Sequence, residues 1–302
     1  MASSMASASA SASASASVVP SDRATQELAR NLVRARRERL SGTLVVVGDP
    51  GGTFYLVNGA IVAVESPGAP TVETLLVRSG RVGKDEWAAA YRAGATVGRI
   101  GAELIDRTLV GAAELQLMCL MAALDGALSV GMGRMDECIL EPGGGGHHLV
   151  APQGIEADWL FQEASRRVKA LTSLRVPLSP FRDRMALTPT GAASANGSTA
   201  GERREILLHV NGRRSSRDIA FLLGRGLYAV TVELTRMLSD GLVEVVPSPA
   251  AVPLGEPAGA ADRVSNAHAP HRLSGVSGLP RRQRGMSGIH DVLPLRPVTD
   301  RR

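Results

Sequence analysis

Five arginines near the C-terminal end of the chain, Arg213, Arg214, Arg217, Arg225 and Arg236, could bind anions. A guanidinium presents a planar fork of N–H donors that matches phosphate and carboxylate. On a helix-turn-helix, such residues hold nucleic-acid phosphates while other side chains reach base edges. The same stretch carries Tyr228 and Val232, types that suit contact with another protein. No other group of residues makes a reaction centre. His147 and His148 with Cys138 are metal-ligand types, but their spacing is irregular and the histidines follow a glycine run, so they read as exposed loop residues. Cys119 falls on the apolar side of a helical pattern and reads as core. Asp85-Glu86 and Asp136-Glu137 sit at expected element ends, where charge is solvated. His209 has no serine or acid placed to complete a nucleophilic arrangement. The expectation is a chain without enzymatic activity, cofactor or metal.

The arginines need elements to position them. Ile206, Leu207 and Val210 share one helical face, ended by Asn211-Gly212. Ser215-x-x-Asp218 has the form of a capping box opening a second helix that buries Ile219, Leu222 and Leu223. Gly224-Arg225-Gly226 is a turn. A third helix buries Val230, Leu234, Met237 and Leu238 and is broken by Asp240-Gly241, and 242–246 is a β-branched run suited to a wing strand. Three helices and a strand make a winged helix over 202–247. Its seven arginines face six acids, and the free side of the third helix offers Tyr228, Ala229, Val232, Thr235, Arg236 and Ser239. One cation without Asn or Gln is a poor surface for reading bases. DNA and a protein partner both stay open for this module.

The chain has 302 residues and a net charge of +5. Residues 22–39 carry six Arg against three acids and 247–302 carry eight Arg against four, so 40–246 sums to −2. The basic character therefore lies in the flanks, read as solvated. Residues 1–22 form a disordered Ala/Ser tail without the basic start and apolar core of a secretory signal, and 23–39 form a basic helix. Residues 248–302, with Arg281, Arg282 and Arg284, form a disordered basic tail. The longest apolar run, 117–124, stops at Asp125, short of the roughly 18 residues a membrane span needs. Two cysteines give no disulfide framework. These features together predict a cytoplasmic protein with no membrane partner. Residues 177–201, rich in Pro, Ser, Gly and Ala, read as a flexible linker.

The remaining segment, 40–176, reads as an α+β domain. A β-meander opens it: 43–47 and 53–57 flank a turn-forming run, and Asn58-Gly59 joins 53–57 to 60–64 as a hairpin. The glycines at 48–52 lack the Gly-Lys-Ser/Thr ending and following helix of a phosphate loop. An internal repeat follows, LLVRSGRVGKDEW at 75–87 against ELIDRTLVGAAEL at 103–115, offset by 28. Each copy predicts a helix, a corner at Gly83 or Gly111 and a second helix, so two hairpins stack to bury what neither buries alone. The second runs on through Leu117, Leu120, Met121 and Leu124. Residues 127–132 read as a returning strand, and 158–174 as an amphipathic helix with Trp159, Leu160, Val168 and Leu171 inward.

The runs LSGTL at 40–44 and GGTFYLVNGAIVA at 51–63, then paired helix–Gly–helix units, resemble the PatA-type N-terminal domain over roughly 40–135. This is a bacterial domain of unknown function found in regulatory proteins, and Asn58 stands where it usually has aspartate. LSDGLVE at 238–244, after its helix, resembles the end of MarR-like winged helices. The resemblance implies signalling and carries no catalytic residues. It implies a transcriptional regulator whose N-terminal domain senses or dimerises and whose winged helix contacts DNA through Arg213, Arg214, Arg217, Arg225 and Arg236. The alternative is a signalling adaptor whose domains bind proteins, such as a small-GTPase or two-component partner, through Tyr228 and Val232.

Overall fold

The computed structural model describes residues 22–143, 149–197 and 201–247. The tails and the His147-His148 pair lie outside the described residues. Within them the chain is mixed α/β with a small antiparallel sheet. Helix α1 (Asp22–Glu38) comes first. It was expected as a basic, solvated helix, yet Ala24, Leu28, Leu32 and Ala35 are buried in the main core. Arg30, Arg34 and Arg37 take the opposite, exposed side.

The meander forms as β1 (Gly42–Asp49), β2 (Gly52–Val57) and β3 (Ala60–Glu65). Asn58 (φ 50°) and Gly59 (φ 82°) are both left-handed, as a two-residue hairpin turn with the sheet's own twist requires. Helices α2 (Val72–Arg78), α3 (Lys84–Gly94), α4 (Ile100–Asp106) and α5 (Ala112–Met132) follow. Gly83 and Gly111 hold matching cap positions before α3 and α5, the corners of the repeat.

The expected strand at 127–132 is instead the last part of α5. The Asp125-Gly126 pair looks like a break, but Gly126 serves a close approach: a Cβ there would lie 2.9 Å from the Val64 carbonyl oxygen on β3. By length and composition α5 could cross a membrane, contrary to the expectation, but most of it is buried inside this fold. A fourth strand, β4 (Arg134–Pro142), then adds to β1, giving the order β3-β2-β1-β4. Val47 faces Glu137 and Gly48 faces Met135, so Asp136 is an inserted residue in the ladder. The pair Asp136-Glu137, expected at an element end, thus lies inside a strand. Helix α6 (Ala157–Thr172) buries Leu160, Ala164 and Leu171, while Trp159, expected inward, is exposed.

The stretch expected to be a flexible linker carries two elements, β5 (Arg184–Leu187) and α7 (Pro189–Asn196). Thr188 caps α7 through the Gly191 N–H, with Pro189 in the first turn. Leu178, Met185 and Ala195 are buried there, so few apolar residues sufficed. Helices α8 (Glu202–His209), α9 (Ser216–Leu223) and α10 (Leu227–Ser239) follow, then β6 (Val243–Val246). The partner of β6 is β5, far upstream, rather than a strand returning through a hairpin. Leu128 of α5 and Leu171 of α6 share a second core with Ile206, Ile219, Leu234 and Met237. The C-terminal helices thus pack directly against the ends of α5 and α6.

Candidate interaction face of the C-terminal helices

The start of α9 is built as its sequence demands. The Ser215 hydroxyl accepts the Asp218 N–H at 3.3 Å, and the Asp218 carboxylate accepts the Ser215 N–H at 2.9 Å. Burial pushes the Asp218 carboxyl up, but the Ser215 hydrogen bonds with Arg217 and Arg184 outweigh it and hold its pKa below the ordinary value.

Three of the five candidate arginines cluster before and in the first turn of α9. Arg213 is exposed and has no ion-pair partner among the described residues. Arg214 donates to the His209 carbonyl at 3.2 Å. Arg217 lies 3.4 Å from Asp218 and, with Arg214, borders an open cleft beside Pro67, Phe221 and Leu222. The other two are elsewhere and already matched. Arg225 pairs with Glu202 and with Glu205, the latter at 2.7 Å. Arg236 is exposed and lies 3.4 Å from Glu233. The structure therefore does not bring the five together.

Tyr228 and Val232 line a different cleft of about 530 Å³. Ala170 and Leu174 close it from the α6 side, and Arg203 and Arg236 stand at its charged wall. Arg203 is held by Glu233 at 3.2 Å and by Asp240. Apolar and polar side chains share its lining, and its two arginines are already paired with Glu233 and Asp240.

The beginning of α10 is partly covered: Val230 is buried, Tyr228 is half-buried and Ala229 is exposed. Leu227 is fully buried. Asp125 of α5, 3 % exposed, accepts the Tyr228 N–H at 3.4 Å. Arg167 of α6 lies 3.4 Å from the same carboxylate, and its guanidinium sits 4.9 Å above the centre of the Tyr228 ring. On the turn, a Cβ at Gly224 would lie 2.4 Å from the Ser79 nitrogen, and one at Gly226 would lie 2.8 Å from Asp125 Oδ2. The turn between α9 and α10 therefore abuts both the end of α2 and the middle of α5.

Sequence reasoning did not find Asp125 and Arg167. The signal was a single acid inside an otherwise apolar helical run, since a buried carboxylate demands donors. Its partners come from residues 42 and 103 positions away, and no local pattern names them.

The remaining candidates hold no reactive geometry. Burial pushes the Cys119 thiol up to about 12, so it stays protonated. Cys138, beside the Asn31 amide, is raised mainly by burial as well. Among the described residues no cluster of His, Cys, Asp and Glu could hold a metal ion. In comparison with known proteins, the chain matches no family model, no curated protein and no solved structure.

Proposed function

We propose that the chain is a non-enzymatic regulatory adaptor that works by protein contact. In this reading 178–247 is a winged-helix-type module fused to an N-terminal body resembling the PatA type. The inward placement of Leu227 and Val230 at the start of α10, with Tyr228 half-covered by Arg167, carries the proposal. A helix-turn-helix reads bases with the N-terminal residues of its second helix. Here Leu227 is inside the body and Tyr228 lies under Arg167. Arg225 and Arg236 already face acids, which weakens them as phosphate ligands. The cleft over Tyr228 and Val232, which mixes apolar side chains with paired charges, has the character of a protein-contacting surface. The sequence resemblance favours a signalling protein as the partner.

A second reading, DNA contact, draws on the exposed Arg213 with Arg214 and Arg217 around the start of α9. Fluorescence anisotropy of the full-length chain on duplex DNA, across a salt series, separates the two. The adaptor reading expects weak binding at most, without sequence preference and unchanged in an Arg213→Ala, Arg214→Ala double variant. Sequence-preferring binding whose log–log salt slope falls by about 1–2 in that variant would overturn it in favour of DNA.

A further inference from the structure

The first N–H groups of a helix have no partner within it and need an acceptor from outside. Gly226, at the cap position of α10, has no side chain to supply one. The acceptor is Asp125, which reaches across from α5 to the Tyr228 N–H at 3.4 Å. A cap lent by another element ties the first turn of α10 to the body only as well as that carboxyl group holds. The charges around it are few. Arg167 stands 3.4 Å away and is shared with Glu163 at 3.2 Å. Arg225 on the adjoining turn is directed to Glu202 and Glu205. Arg78 of α2 lies against Gly224 rather than Gly226. The Tyr228 ring, beneath Arg167, is the remaining titratable group. Asp125 is thus a buried acid facing one divided cation.

We infer that the first turn of α10 is a proton-gated joint, held against α5 and α6 when Asp125 is protonated and opening more readily when Asp125 is ionised. A protonated Asp125 still accepts the Tyr228 N–H through its carbonyl oxygen and no longer buries a charge. Burial, outweighing Arg167 and the backbone N–H of α10, pushes the Asp125 carboxyl from 3.8 up to about 6. The closed turn therefore binds the proton more tightly than the open one. The stabilisation it gives is fully present below pH 3.8 and is lost as pH rises through about 6. Leu128 and Leu171 keep the rest of α10 seated, so the opening is local. It would release Tyr228 from Arg167 and reshape the wall of the cleft that Tyr228 lines, whatever class of partner that cleft takes.

Amide hydrogen exchange of the full-length chain, read by NMR between pH 5 and 7.5 and corrected for intrinsic rates, tests this. The opening constant of residues 226–230 should rise roughly tenfold over that range, as a pKa moved from 3.8 to about 6 requires. In Asp125→Asn it should stay flat at the acid value. If that variant folds poorly, the side-chain carboxyl resonance of Asp125 in the wild type still decides. It should titrate near 6 in step with the exchange, with a higher midpoint in Arg167→Gln. Titration near 4, or the same pH response at 226–230 as at 231–237, would overturn the joint.

Discussion

Gly224 and Gly226 tie the turn before α10 to the body by what they lack. Gly224 is left-handed (φ 62°), and a Cβ there would also strike the backbone of α2 at 2.4 Å. Gly241 is left-handed too (φ 70°), yet a Cβ there meets nothing within 4 Å. The two positions separate the cost of the conformation from the cost of contact. Alanine in a left-handed position costs about 1–3 kcal/mol by itself. Gly241→Ala should show that alone, and Gly224→Ala should exceed it because the Ser79 backbone cannot yield as a flexible side chain would. Thermal melts of both variants decide this: with roughly 2–4 °C lost per kcal/mol in a domain of this size, Gly224→Ala should melt several degrees below Gly241→Ala. Equal losses would mean that the turn does not press on α2, leaving the start of α10 held by Asp125 and Arg167 alone.

At the scale of elements, β5 and α7 turn an expected linker into part of the fold. Met185 of β5 is completely buried beneath the C-terminal helices. Truncating a core methionine costs about 2–5 kcal/mol, whereas the same change in a flexible linker costs almost nothing. The midpoint of urea unfolding of Met185→Ala measures the difference, and an unchanged midpoint would return 177–201 to a linker. The contrast between legible and illegible elements follows from the range of their causes. The Asn58-Gly59 hairpin, the Ser215–Asp218 capping box and the glycine corners at 83 and 111 are each decided within a few residues. By contrast, β4 and β5 acquire strand form from partners at β1 and β6, and Asp136 breaks the alternation that would have marked β4. The end of α5 was hidden by Asp125-Gly126, a pair that reads as a stop in isolation. In the fold both residues are explained by contacts with distant chain, the acid by α10 and the glycine by β3. The candidate site shows the same division. Arg213, Arg214 and Arg217 were placed near one another by a local motif, but the partial covering of α10 by Asp125 and Arg167 was not visible in it.

For the whole molecule, α5 and α6 are the spine that joins the two cores. Helix α5 gives side chains from Leu115 through Ala127 to Val130 to one core and, from another face of the same stretch, Leu128 to the other. Helix α6 gives Leu160 and Ala164 to the first and Leu171 to the second. A helix that serves both cores cannot stay ordered for long when one of them melts, because the shared turns lose packing together. The two halves expected from the sequence as separate domains should therefore unfold in one cooperative transition. Leu160→Ala and Leu171→Ala, each costing about 2–5 kcal/mol, should both shift that single transition and leave no resolved second step. Calorimetry with matched calorimetric and van't Hoff enthalpies is the measurement. Two transitions, each moved by only one of the substitutions, would show that the C-terminal helices can leave the body as a unit. The start of α10 would then be free to meet DNA, and the case for an adaptor over a DNA-reading regulator would lose the burial on which it stands.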